Sequence, residues 1–410
     1  MILGQLAIIN GVIQCFSSYR KHTVMPFVTG KRAVCSSQPG KDASEGCARC
    51  QLARRPESDN STYLLLGPPN GNARQSLINA LEEANTPYRA WDNVLALPVL
   101  RERISGVTAA FLNALPDATA ADVKGTFFSG NLDDPGAALA AFVRAEPLSK
   151  LKERAQHDWV RDALDDDWLF SLFHPIVHAD SGIVFAYEAL IRARDPKTHE
   201  IIGAGPLINA AVKLNIEHVF DQRARQTAIR QAATLQMPQF RLFINFMPNT
   251  IYDPEVCLRT TMEAVNECGM QISDLVFEVV ETERIPDMKR LHKILDYYRE
   301  RGAGTAVDDM GAGFSSLEYL TALRPDYVKL DRDLVVQAEH KSSARQSLDL
   351  IIEQAKQLGI HVIAEGIETE SQMQMCRSAG VDFMQGFLFG MPANPPQASR
   401  PLLRLLSAAA

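Results

Sequence analysis

The stretch Thr305-Ala-Val-Asp308-Asp309-Met-Gly311-Ala-Gly313 runs from apolar residues into paired acids and then into glycines. A short apolar run bounded by turn residues reads as a buried strand, so the acids stand at its C-terminal end. The same ending recurs on either side. Arg241-Leu-Phe-Ile-Asn245 and Leu275-Val-Phe-Glu278 precede it, His361-Val-Ile-Ala-Glu365 follows it, and Glu188 and Gln385 lie in two further runs. The intervening segments, roughly 254–268, 287–301, 343–358 and 370–379, carry apolar residues at helical spacing. Alternating strands and helices imply a parallel sheet. If that sheet closes as a TIM-like (β/α)8 barrel, polar residues far apart in the chain meet at one mouth, where such barrels gather their chemistry.

The predicted barrel opens with a hairpin. Residues 169–178, the turn signal Asp180-Ser181-Gly182 and residues 183–191 give two strands joined too tightly to be parallel. One antiparallel strand therefore enters an otherwise parallel barrel, assigned to residues 168–398 with a tail at 399–410. Ahead of it, residues 151–167, with Arg154, Asp158, Arg161 and three acids from Asp165 to Asp167, read as a polar linker helix. Residues 61–150 read as a small α/β domain with strands near 63–66, 93–99 and 125–128 and helices near 73–84, 100–112 and 135–144. Its Gly67-Pro-Pro-Asn-Gly-Asn72 turn lacks the Gly-Lys-Ser/Thr ending of a phosphate loop and reads as an ordinary strand-to-helix connection. A regulatory role is the expectation for this unit.

Residues 1–60 read as a flexible leader, being rich in Ser, Gly, Lys and Arg without periodicity beyond about Ser17. The apolar start, Met1 to about Phe16, falls short of the roughly 20 residues that span a bilayer, and no basic region precedes it, so neither a membrane partner nor a signal peptide is expected. The 410 residues are 46% apolar and carry a net charge of −7, which suits two globular domains and offers no basic stripe for a DNA or RNA polymer. Seven cysteines are few and odd in number, as expected of a reducing, cytoplasmic compartment. Cys47-Ala-Arg-Cys50 supplies half of a tetrahedral zinc site; with only Cys35 and His22 nearby to complete it, free thiols are the simpler reading.

Seven segments occur in one order: Glu188-Ala189-Leu190-Ile-Arg192, Phe243-Ile-Asn245, Phe277-Glu278-Val-Val-Glu281, Asp308-Asp309-Met-Gly311-Ala-Gly313-Phe-Ser315, Lys329-Leu-Asp331, Ala364-Glu365-Gly366-Ile-Glu368 and Gln385-Gly386. Together they resemble the EAL domain, the phosphodiesterase that linearises the bacterial second messenger cyclic di-GMP, over roughly residues 168–396. The resemblance implies a site for two divalent cations, magnesium or manganese. One would be held by Glu188, Asn245, Glu278 and Asp308, the second by Asp308 and Asp309 with Glu365 and Gln385. Oxygen donors of this kind select hard cations over zinc, and calcium is expected to inhibit because it coordinates too loosely. A cation between Asp308 and Asp309 also removes the repulsion of adjacent carboxylates.

The resemblance further implies that Lys329 faces the attacking water, either neutralising the transition state or relaying a proton, with Asp331 and Glu368 orienting it. Arg192 resembles the arginine that meets a substrate phosphate; Leu190, His174 and Pro175 would flank the substrate. Glu281 resembles the glutamate that steadies the loop after Asp309, and a homodimer through the barrel is implied by resemblance alone.

Some positions depart from the family pattern. His174 stands where these domains carry a glutamine that helps hold a guanine, and an imidazole cannot copy the amide's paired donor and acceptor. Met310 and Ala312 replace a phenylalanine and a threonine, and Phe246-Met247 follow Asn245 where a small hydroxyl residue is usual. Taken singly, Glu278, Glu365 and Lys329 also fit surface ion pairs, and Asn245 and Gln385 fit turn caps or backbone partners. The expected activity is hydrolysis of cyclic di-GMP to linear pGpG. A receptor that binds the messenger without turnover and signals to a protein partner is the alternative, and a barrel enzyme acting on a different phosphodiester is a third. Retention of every carboxylate favours hydrolysis.

Overall fold

The computed structural model describes residues 62–91, 93–98, 111–112, 114–132, 134–235, 240–280, 288–311 and 316–396. The predicted leader with its cysteines and His22, Glu281, Ala312, Gly313 and the 399–410 tail lie outside those residues, as does most of the helix predicted at 100–112.

A small sheet comes first. Its strands are β1 (Thr62–Gly67), β2 (Arg89–Trp91), β3 (Val94–Pro98), β4 (Lys124–Ser129) and β5 (Glu146–Pro147), ordered β2-β3-β1-β4-β5 with every pairing antiparallel. Period-two alternation gives β1 two buried faces: Leu64 and Leu66 join Leu77, Leu81, Phe111 and Leu151 on one side, and Leu65 joins Ala96 and Phe128 on the other. The predicted linker is two helices, Leu148–His157 and Trp159–Asp165. Leu148 and Leu151 belong to the core of the small sheet, whereas Val160, Ala163 and Leu164 pack with Ala193, Leu207 and Phe220 on the flank of the barrel. Its many charges had hidden two narrow apolar stripes.

The second sheet closes on itself. It contains β6 (Leu169–His178), β7 (Val184–Arg194), β9 (Arg241–Asn245), β10 (Leu275–Val280), β11 (Gly304–Met310), β12 (Tyr327–Leu330), β13 (His361–Ala364) and β14 (Phe383–Gln385), with a two-residue strand β8 (Ile201–Ile202) appended to β7. The order around the barrel is β6-β14-β13-β12-β11-β10-β9-β7, and β6 pairs with β7 to complete it. Only β6 runs against both neighbours; this is the predicted hairpin. One outer helix has both ends written in its sequence. Thr369 and Gln372 form a capping box at the start of helix Glu370–Ala379, and Gly380, at φ 88°, terminates it. The helix predicted at 254–268 is broken at Leu258 into Pro254–Cys257 and Arg259–Glu267. Among the described residues no helix is long and apolar enough to cross a membrane.

Inside the barrel, each of the eight strands contributes one residue to an apolar layer: Ile176, Ala186, Phe243, Val276, Ala306, Tyr327, Ile363 and Phe383, all buried. This layer fills the barrel rather than lining a pore, and truncating Phe243 to alanine would cost about 3–5 kcal/mol. Because side chains alternate, the next inward residue lies two positions along each strand. Two steps forward on the seven parallel strands, and two back on β6, give Glu188, Asn245, Glu278, Asp308, Lys329, Glu365, Gln385 and His174. An apolar floor thus places a polar ring directly above it.

Candidate active site

Lys329 occupies the middle of that ring. Its ammonium lies 2.7 Å from Glu365 Oε1, 3.1 Å from Asp308 Oδ1, 3.2 Å from Glu278 Oε2 and 3.4 Å from Glu188 Oε2. The side-chain amides tie the carboxylates together from the sides. Asn245 Nδ2 donates to Glu188 Oε1 at 3.1 Å and to Glu278 Oε1 at 3.0 Å, and Gln385 Nε2 donates to Glu188 Oε2 at 2.9 Å. Lys329 is 1% exposed and Glu278 fully buried, so these charges meet with little water between them.

One lysine against four carboxylates leaves the ring short of positive charge. Burial pushes the carboxyl of Glu278 well above the ordinary range, and Glu188, Asp308 and Glu365 add to the rise. Glu365 is likewise raised well above it by burial, then by Asp308 and Glu188; burial also raises Asp308. Glu188 alone goes down, because Lys329 and the donors of Gln385 and Asn245 outweigh its burial. The same carboxylates hold Lys329 well above the usual lysine value despite burial. Glu278 Oε2 is buried and accepts no hydrogen bond. A buried cluster with four carboxylates around one ammonium has surplus acid, which fits divalent cations with hard oxygen ligands.

The oxygens fall into two overlapping groups. Glu188, Glu278 and Asp308 offer atoms within 4.8 Å of one another, as do Asp308, Asp309 and Glu365, so Asp308 is shared. In a regular strand two successive residues point to opposite faces, and Asp309 would turn away. A register shift between Val307 and Met310 and a left-handed Asp309, at φ 58°, bring both acids to one side. The backbone N–H of Asp309 donates to Asp308 Oδ1 at 2.9 Å. Burial and Asp308 push the Asp309 carboxyl up to about 6. The bulge went unseen in the sequence, although aspartate tolerates the left-handed region better than most residues.

Above the ring opens a cleft of about 450 Å³, lined by Leu190, His174, Phe387, Arg332, Gly366 and Glu368. The rings of His174 and Phe387 are 6.0 Å apart. A hydrogen bond joins His174 to the backbone of Gly390, its Nε2 is buried without a partner, and burial lowers its pKa. Pro175 is buried beside it on β6 and is not part of the cleft wall. Arg192 is half-buried, donates from Nη1 to the carbonyl of Ile191 at 2.7 Å, and does not line the cleft. Asp331 lies beyond β12, not on its face: it caps helix Arg332–His340 by accepting from the N–H groups of Asp333 and Leu334. Glu368 pairs with Arg332 at 3.0 Å. The structure therefore gathers the residues expected as metal ligands with Lys329, and places Asp331 and Glu368 in contacts other than the four ion pairs of Lys329. Arg332 and Phe387, both on this cleft, had no periodicity by which the sequence could single them out.

A sequence profile of the EAL domain matches residues 157–392. The chain belongs to the EAL domain family. Cyclic di-GMP phosphodiesterase NbdA of Pseudomonas aeruginosa is 28% identical over 254 residues, which cover 61% of this chain and 32% of NbdA. Cyclic di-GMP phosphodiesterase PdeL of Escherichia coli K12 is 27% identical over 236 residues, covering 56% of this chain and 64% of PdeL. The chain thus spans less than two thirds of the length of either relative. The solved structure of the PaMucR phosphodiesterase in complex with c-di-GMP superposes with a TM-score of 0.53 at 27% identity, covering 58% of this chain and 96% of that one.

This EAL barrel also braces Asn245 from behind. Asp221, on helix Glu217–Thr234, accepts from the backbone N–H of Met247 and from the Thr250 hydroxyl, both at 2.9 Å, and so fixes the turn that follows β9. Arg225 pairs with Asp221 one helical turn away and donates from Nε to Thr261 Oγ1 at 3.1 Å. Both members of this pair are buried. In the sequence they look like any solvent-facing pair at helical spacing.

Proposed function

We propose that this EAL domain is a metal-dependent phosphodiesterase that hydrolyses cyclic di-GMP to linear pGpG with magnesium or manganese. The supporting observation is the pair of carboxylate clusters sharing Asp308 in a buried ring deficient in positive charge, at the foot of a nucleotide-sized cleft. Bound cations would offset the charge of the reacting phosphodiester and make an attacking water more acidic. The chain's own residues divide the remaining work. Asn245 and Gln385 hold the carboxylates in place, and the ammonium of Lys329, already central, can turn toward the phosphate or the water when cations take up its carboxylates. The names of NbdA and PdeL, and the c-di-GMP held by PaMucR, support this choice of substrate.

The proposal includes calcium as an inhibitor, a homodimer through the barrel, and a regulatory part for the small sheet. Its test is incubation of the purified chain with cyclic di-GMP and magnesium or manganese, followed by chromatography. The linear dinucleotide is the expected product, and Glu188→Ala is expected to abolish turnover while leaving the circular dichroism of the barrel unchanged. Cyclic di-GMP returned intact with both metals would overturn the proposal.

One observation favours a second reading, a receptor without turnover: Lys329 already bonds four carboxylates and holds the ring together by itself. In that case a chelator would leave the affinity for cyclic di-GMP unchanged and no product would form.

A further inference from the structure

Among the described residues, three cations come near the cleft by sequence or by fold, and of these Arg332 alone reaches it from the solvent side. Lys329 is enclosed by four carboxylates at the floor. Arg192 is half-buried, bonds the carbonyl of Ile191 and is not part of the cleft wall. Arg332 lines the wall with a side chain 55% exposed.

Its position is built rather than incidental. Asp331 caps the helix that starts at Arg332 and so fixes the backbone from which the side chain leaves. The stem of Arg332 then crosses Gly366, the residue after Glu365, where any Cβ would overlap the Cγ of Arg332. Gly366 also has φ +64°, a conformation that suits glycine. Beyond this crossing, Nε and Nη2 both donate to Glu368 Oε1, at 3.3 and 3.0 Å. Glu368 is in turn steadied through its backbone N–H, which donates to Gln372 Oε1 at 2.9 Å, the oxygen that also accepts from Thr369 in the capping box. One edge of the guanidinium is thereby anchored. Nη1, on the other edge, has a loose ion pair with Asp333 Oδ1 at 3.8 Å.

Resting on the proposed phosphodiesterase reading, we infer that Arg332 binds the second phosphodiester of a cyclic dinucleotide, the one not positioned over the carboxylate ring. A planar guanidinium held along one edge can give its remaining donors to a phosphate oxygen with little loss of side-chain freedom. The second phosphate needs such a partner because the ring below it is acidic and would repel an uncompensated anion. Arg332 on this assignment is a binding residue that distinguishes a dinucleotide from a smaller phosphodiester.

The test compares wild-type full chain with Arg332→Ala and Arg332→Lys, measuring kcat and KM for cyclic di-GMP with manganese and melting temperature in parallel. Arg332→Ala is expected to raise KM about tenfold or more, in line with the loss of a charge-assisted hydrogen bond, with kcat changed less than threefold. Arg332→Lys should recover part of the loss, since lysine keeps the charge without the fork. For bis(p-nitrophenyl) phosphate, which has a single phosphate, the wild type and Arg332→Ala should show the same KM. A KM for cyclic di-GMP within twofold of wild type would overturn the assignment while leaving the phosphodiesterase reading intact, and so would a fall in kcat at constant KM. Absence of both binding and turnover in the wild type would remove the reading itself, and the assignment with it.

Discussion

Replacing Lys329 by methionine keeps most of the side chain's volume and removes its charge from among four carboxylates that are 2.7 to 3.4 Å away. Removing one partner of a buried ionic cluster leaves the others uncompensated, at a cost of about 3–5 kcal/mol. In a domain of this size each kcal/mol shifts the melting temperature by roughly 2–4 °C. With a chelator present at pH 8, the variant should therefore melt about 6–20 °C below wild type. Manganese should then stabilise the variant more than the wild type, because cations would enter a ring from which no ammonium has to withdraw. Saturation at a hundred times Kd contributes about 2.7 kcal/mol. The assay is thermal denaturation followed by circular dichroism, each protein with chelator and with manganese. A variant that melts within about 2 °C of wild type without metal would contradict a stabilising role for the Lys329 ammonium in the ring. So would a smaller response to manganese in the variant.

The metal response should also depend on pH. Acids whose folded-state pKa is raised bind more protons in the native than in the unfolded state, so the metal-free protein gives up stability as pH rises through the native value, about 6 for Asp309. Cations need the deprotonated form. The gain in melting temperature on adding manganese should thus grow between pH 5 and pH 8, and an equal gain at both would contradict the assignment. Gly386→Ala would drive a Cβ into the backbone of Ile367 beside Gln385; a loss of several kcal/mol is expected in urea titrations, and a wild-type midpoint would contradict the close approach. Burial pushes the thiol of Cys376 up to about 12, whereas Cys257 and Cys268 are only half-buried. Iodoacetamide at pH 8 should leave Cys376 unmodified in the native protein and label it after unfolding, as mass spectrometry would reveal.

The polar strand endings are legible in the sequence because two simple regularities coincide. An inward-facing apolar residue fixes the face of its strand, and the polar residue two positions on must share that face. Phe243 with Asn245, Val276 with Glu278 and Ile363 with Glu365 follow this pattern. Order around a barrel then follows from order in the chain, apart from β6, whose reversed direction brings His174 rather than a residue after Ile176 into the ring. What the sequence left hidden has no period. The bulge at Asp308 and Asp309 depends on a backbone register, the breadth of the linker's two short apolar stripes is masked by charge, and the buried role of Asp221 and Arg225 comes from the turn packed against them. The roles of Asp331 and Glu368 also depend on local geometry. One caps a helix and the other anchors Arg332, and residue spacing alone could not separate these contacts from a contact with Lys329.

Whether distant oxygen donors share two cations can be seen directly by X-ray anomalous scattering from crystals grown with manganese. Two peaks are expected, one among Glu188, Asn245, Glu278 and Asp308 and the other among Asp308, Asp309 and Glu365, with the ammonium of Lys329 displaced from the middle of the ring. A saturating manganese concentration that yields no peak there, with Lys329 still bonded to its four carboxylates, would contradict a two-metal site in this barrel.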